Sequence, residues 1–141
     1  QNTSADKFVT FFCGILDTSA NKFRYVNAGH NPPLYLRRNG EMQDLEVGGL
    51  IIGFTDEPFP YESGEITLET GDSVLLYTDG ITEAQNSNKE EYELDRLKER
   101  YIENATNSAS DIINGIINDV RNFAGDNAQY DDITCIVVKR K

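Results

Sequence analysis

Histidine occurs once in this chain and cysteine twice, and acidic side chains outnumber basic ones 24 to 13. Each shortage excludes something. Two cysteines in 141 residues supply no disulfide framework, so a reducing cytoplasm is the default compartment. Cys13 and Cys135 both sit in apolar stretches and are expected to be small buried hydrophobes. His30 has no second histidine or neighbouring cysteine to share a metal, so a loop-structuring role is expected for it. No apolar run approaches the length of a membrane-spanning helix, and no secretory signal pattern opens the chain.

The scarcity of bases is local. Between Glu41 and Glu93 there are 14 acids and one base, Lys89, a net of −13. The remainder carries 10 acids and 12 bases, a net of +2, which closes the total at −11. A polyanion would be repelled by the acidic segment, so nucleic-acid binding is excluded as a reading. Most of these acids form a solvated surface, and a cation site would draw on a few of them.

The length fits one domain with a real core. Residues 1–7 read as a ragged polar start and 8–141 as the domain proper. Phe8 to Leu16 is apolar on both alternating faces, so this strand expects cover on both sides of its sheet. Asp17 to Asn21 is a turn into the alternating strand Lys22 to Asn27. Two prolines break the pattern at Pro32 and Pro33. Leu34 to Arg37 follows, with an Asn39-Gly40 hairpin turn into a strand from Met42 to Val47. Gly48 to Gly64 shows no period and is expected to be a long loop or flap. Its Gly48-Gly49-Leu50-Ile51-Ile52-Gly53 stretch lacks the lysine and hydroxyl of a phosphate cradle. Glu65 to Glu69 and Val74 to Tyr77 are further strands. Helices come late: Leu94, Leu97 and Tyr101 recur at helical spacing, and Ser108 caps a helix that runs to a stop at Gly125.

Two stretches carry chemistry. Leu75-Leu76-Tyr77-Thr78-Asp79-Gly80-Ile81-Thr82-Glu83-Ala84 is a buried strand that ends at a carboxylate, with Glu83 four residues on. Read blandly, Asp79-Gly80 is a common hairpin turn. Near the other end, Tyr130-Asp131-Asp132 heads an uncharged strand, Ile133 to Val138. Adjacent carboxylates repel unless a cation, hydrogen bonds or water offsets the repulsion. Side by side, the two strands would bring three carboxylates to one sheet edge. Such oxygen-only ligands suit magnesium or manganese, not zinc or copper.

Four segments, in order, carry a resemblance: Phe8-Val9-Thr10, Tyr25-Val26-Asn27-Ala28-Gly29-His30-Asn31-Pro32-Pro33-Leu34, Leu76 through Ala84, and Asp131-Asp132-Ile133-Thr134. Together they resemble the C-terminal catalytic domain of bacterial SpoIIE-like and RsbU-like serine phosphatases, within the metal-dependent PPM-type protein phosphatases. The resemblance implies an α+β fold, an α-β-β-α sandwich of two antiparallel sheets, truncated at its N-terminus. It implies a binuclear Mn2+ or Mg2+ centre in which Asp79 and Asp131 ligate metal and Gly80 belongs to the same turn. Glu83 matches an acidic position near an additional ion, and Asp132 has a secondary role. It also implies hydrolysis of phosphoserine on a signalling partner, often an anti-sigma-factor antagonist, in pathways controlling stress or development.

Relatives also carry an upstream strand with another acidic ligand and an Asp-x-x-Gly-His-Gly motif. Gln1 to Lys7 supplies neither. The metal centre is therefore expected to be completed by residues absent from this chain, and the chain alone to be poorly active. A longer parent with an upstream sensor domain and a homodimer through exposed apolar surface are further expectations, and the alternative to a phosphatase is a non-catalytic, phosphatase-like partner-binding module or an inactive fragment.

Overall fold

The computed structural model describes residues 7–55, 57–127 and 131–141. All but Lys7 of the ragged start, and Tyr130 at the head of the last strand, lie outside the described residues. In chain order the elements are β1 (Phe11–Asp17), β2 (Lys22–Ala28), β3 (Leu34–Leu36), β4 (Met42–Asp44), β5 (Gly48–Gly49), β6 (Gly64–Thr67) and β7 (Ser73–Tyr77). There follow α1 (Asp79–Thr82), α2 (Leu94–Glu103), α3 (Ala109–Ala124) and β8 (Cys135–Lys139). The chain divides into two compact units, Gln1–Pro32 with Asp44–Leu68, and Pro33–Gln43 with Glu69–Lys141. The fold is α+β with two sheets, as expected.

In the first unit β2 is the central strand. It pairs antiparallel with β1 from Phe11↔Ala28 to Asp17↔Lys22, and antiparallel with β6 on its other edge. The β1–β2 turn forms because the Asp17 carboxylate accepts from the backbone N–H groups of Ser19 and Ala20, at 2.9 and 3.0 Å. Alternation holds along β2: Phe23 and Tyr25 are buried while Lys22 and Arg24 face solvent. Phe12 stacks on both rings, with centroids at 6.4 and 5.7 Å.

Several sequence expectations need correction here. The first strand begins at Phe11, not Phe8, because Val9 is drawn instead into an isolated bridge with Ile52. The exposed apolar surface expected of this chain is found on β1, where Phe11 is 52% and Ile15 67% exposed on one face. Cys13 shares that outward face and is exposed, so it is not the buried hydrophobe its neighbours implied. The loop from Gly48 also contributes regular structure, since Gly48-Gly49 pairs with Asn27-Ala28. That pairing is parallel, so the sheet is mixed, not purely antiparallel. The strand expected from Met42 to Val47 is shorter, ending at Asp44.

The second unit holds the larger core. Its sheet runs β4-β3-β7-β8, with β7 antiparallel to both neighbours. Leu34, Leu36, Leu75 and Tyr77 from the sheet meet Leu97, Tyr101, Ile112, Ile116 and Val120 from α2 and α3. The helical periodicity is thus a core-facing stripe. Ser108 caps α3 by accepting from the Asp111 N–H at 3.2 Å, a contact worth about 1 kcal/mol. Gly125 ends the same helix at φ +60°. Tyr101 donates to Ser73 Oγ at 2.7 Å, which satisfies its hydroxyl inside the core.

One buried carboxylate stabilises the β3–β7 edge. Asp72 accepts from the Tyr35 hydroxyl at 2.7 Å and from the backbone N–H groups of Arg38 and Glu69, each at 2.9 Å. Burial alone would push its pKa up, but these three donors outweigh burial and hold it below the ordinary value. Burial and the Asp72 carboxylate together push the Tyr35 hydroxyl up to about 12. A depressed carboxylate contributes stability that is present above its unfolded-state pKa and lost as pH falls through the folded one. The melting temperature is therefore expected to fall on acidification with a component that Asp72→Asn removes. Identical acid limbs for wild type and variant in a pH series of thermal melts would contradict this.

Candidate metal centre

The β7–β8 ladder brings the two acidic motifs together. Its register runs from Ser73↔Lys139 to Tyr77↔Cys135, so the C-terminal end of β7 lies beside the N-terminal end of β8. Asp79 follows that end by two residues, and Asp131 and Asp132 precede the start of β8. The expected juxtaposition of the two motifs at one sheet edge is present.

Thr78 clasps the joint. Its Oγ1 donates to the Asp132 carbonyl at 2.8 Å and accepts from the Thr134 N–H at 2.9 Å. Its own backbone N–H donates to the Thr134 carbonyl at 3.2 Å. Sequence reasoning missed this residue, because a threonine at the end of a strand carries no distinguishing pattern.

Asp79-Gly80 is not a hairpin turn, which corrects the bland reading. Asp79 opens the one-turn helix α1, and its carbonyl accepts from the Glu83 N–H at 2.8 Å. The fully buried Ile81 anchors this turn in the core. The Asp79 carboxylate stays exposed, with Oδ1 accepting from the Gly80 N–H at 3.0 Å. Gly80 is required by space: a Cβ there would lie 2.6 Å from the Asp132 carbonyl oxygen and 3.2 Å from that of Asp131. Asp131 Oδ1 accepts from the Asp132 N–H at 2.6 Å.

Gly80, Glu83 and Asp131 line one open cavity of about 360 Å³, whereas Asp79 and Asp132 do not contribute to its wall. Among the described residues no three His, Cys, Asp or Glu side chains converge closely enough to hold a metal ion by themselves. The donor chemistry nonetheless fits a hard divalent cation, since the groups gathered here are carboxylates and backbone carbonyls. His30 lies in the other unit. Its backbone N–H donates to Asn27 Oδ1 at 2.8 Å, and Asn27 Nδ2 donates back to the His30 carbonyl at 2.9 Å. That reciprocal pair, made by the His30 backbone, fixes the Gly-His-Asn-Pro loop, and the His30 ring lies 3.3 Å from Thr10 Oγ1.

The family model for Stage II sporulation protein E (SpoIIE) matches residues 1–141. The chain belongs to the SpoIIE family. Among relatives of this SpoIIE-family chain, phosphoserine phosphatase RsbU of Bacillus subtilis is 32% identical over 144 residues, covering 100% of this chain and 42% of RsbU. The SiaA-PP2C domain of Pseudomonas aeruginosa superposes with a TM-score of 0.76 at 19% identity, covering 92% of this chain and 51% of that one. The phosphatase domain of the B. subtilis cell fate determinant SpoIIE, presoaked with Mn, gives 0.68 at 21% identity, covering 93% of this chain and 56% of that one. The SpoIIE-family chain therefore has the PP2C phosphatase fold and spans less than half the length of RsbU.

Proposed function

We propose that this chain forms part of the catalytic domain of a Mn2+- or Mg2+-dependent protein serine phosphatase. The observation that carries the reading is the shared end of β7 and β8, where the Thr78 clasp gathers Asp79, Gly80, Asp131 and Asp132. Membership of the SpoIIE family supports it. Asp79 and Asp131 would hold metal, with Gly80 allowing the two acidic segments to approach, and Glu83 and Asp132 contributing more weakly.

When bound, a divalent metal pair supplies an activated water and charge neutralisation for displacement at phosphorus. The chain's own residues anchor and orient. Asp79 and Asp131 provide fixed negative charge, and Thr78 keeps their two segments in register. No side-chain nucleophile is needed for this chemistry. Cys135 is unsuited to the role, since burial pushes its thiol up to about 11.

The substrate in this reading is a phosphoserine protein of a signalling pathway, of the kind represented by an anti-sigma-factor antagonist, and the setting is cytoplasmic. Among the described residues no helix is long and apolar enough to cross a membrane. A Mn2+ titration that follows partner binding and phosphate release together tests the proposal. Saturable, metal-dependent release supports it. Tight binding of the phosphorylated partner with no release at any metal concentration would favour a non-catalytic binding module.

The exposed apolar face of the first unit bears on partners. Phe11 and Ile15 on β1, with Phe8, Ile52 and Phe54 from the same unit, are all exposed. Apolar patches beyond about a few hundred Å² are rare on soluble monomers. The chain by itself is expected to self-associate and to bind a hydrophobic dye. Sedimentation as a compact monomer with no dye uptake would contradict this.

A further inference from the structure

The cavity beside Asp131 holds two cations that the metal-centre reading does not use. Lys89 and Arg121 both contribute to its wall. Lys89 is the single base between Glu41 and Glu93, amid 14 acids. Arg121 stands in the last turn of α3. Five other arginines are engaged: Arg24 pairs with Glu65, Arg37 with Glu41, Arg100 with Asp119, Arg140 with Glu69, and Arg96 lies over the Phe123 ring at 4.4 Å. Among the described residues, neither Lys89 nor Arg121 forms an ion pair. Lys89 and Arg121 share this wall with the carboxylates of Glu83, Glu91 and Asp131, and offer local positive charge to an anionic group entering the cavity.

We propose that Arg121 and Lys89 form a specificity subsite for an acidic side chain flanking the phosphoserine of the substrate. The inference rests on the phosphatase reading, in which the phosphate itself is held at the Asp131 end of the cavity. Val120, Ala124 and Ile133 supply apolar wall against which the stem of a glutamate can lie. A volume of about 360 Å³ accommodates one such residue beside the phosphoserine. Glu83 and Glu91 share the wall, so attraction is confined to the neighbourhood of the two cations and the preference is modest. Both cations are solvent-exposed, and exposed ion pairs give a preference of about three- to fivefold.

The test uses two peptides carrying the non-hydrolysable phosphonate analogue of phosphoserine, one flanked by Glu and the other by Gln. Their dissociation constants are measured by fluorescence anisotropy on the full protein with Mn2+, for wild type and for the Lys89→Gln/Arg121→Gln double variant. Phosphate release from an ordinary phosphoserine substrate is followed in parallel. The expected result is about three- to fivefold tighter wild-type binding of the Glu peptide, with the preference gone in the double variant. Equal wild-type affinities, or a preference that survives the double substitution, would overturn the subsite. If phosphate release persists in those cases, the phosphatase reading stands without it. Wild-type protein that binds neither peptide and releases no phosphate would remove both.

Discussion

Asp79→Asn is expected to lower metal-dependent phosphoserine hydrolysis by at least about 100-fold while leaving the fold intact. The amide preserves the shape of the side chain and its contact with the Gly80 N–H, so α1 should still form. What it removes is the negative charge that a hard cation requires. Substitutions of groups that merely orient metal ligands typically cost about 10–100-fold, and loss of a direct ligand should reach at least the upper end of that range. Steady-state phosphate release at saturating Mn2+, with a thermal melt as the folding control, measures the effect. Near wild-type turnover in the variant would make Asp79 only the first residue of a short helix.

Gly80→Ala is expected to damage both stability and activity, for a steric reason. The added methyl carbon would sit 2.6 Å from the Asp132 carbonyl oxygen and 2.9 Å from its carbon. Both are backbone atoms, held in place by the Thr78 hydroxyl, so no side-chain rotation relieves the contact. The segment carrying Asp131 and Asp132 must move away from α1, or α1 must shift against the core through Ile81. Overpacking of this kind costs about 1–3 kcal/mol. Activity should fall further than stability alone explains, because the displaced atoms belong to the segment that carries Asp131. Chemical denaturation and phosphate release on the same preparation separate the two effects. An alanine variant indistinguishable from wild type in both would mean that the two acidic segments are not pressed together.

Much of this site is legible in the amino-acid sequence, and the reasons are local. Val74 to Tyr77 and Ile133 to Val138 are uncharged runs that end or begin near aspartates, so burial of the runs dictates where the carboxylates emerge. Antiparallel pairing of those runs then places Asp79 and Asp131 at one end. Ser108 and Gly125 bracket α3 as expected because an N-cap and a positive-φ glycine stop each depend on one residue. Other features depend on partners far away in the chain. The parallel pairing of Gly48-Gly49 with Asn27-Ala28 has no local signature, since any short glycine segment looks like loop. The exposed face of β1 is legible by a longer argument: a strand apolar on both faces calls for two layers of cover, and the two late helices can supply only one.

Asp79-Gly80 illustrates a conflict between local rules. Its dipeptide preference points to a hairpin turn, but Ile81 is drawn into the core and pulls the chain into a helical turn instead. That tertiary override also sets the direction of Glu83 and so helps to form the cavity it shares with Asp131. The contacts of Thr78, and the shared cavity wall of Lys89 and Arg121, arise only from pairing of distant segments, which no local pattern encodes.

Manganese binding tests the central claim most directly, because it reports on the carboxylates without requiring a substrate. Free Mn2+ can be titrated by electron paramagnetic resonance against wild type, Asp79→Asn and Asp131→Asn, using the full protein. Each variant is expected to bind at least about tenfold more weakly than wild type, as removal of a charged oxygen ligand demands. Equal Mn2+ affinity in all three proteins would contradict the assignment of Asp79 and Asp131 to a metal centre.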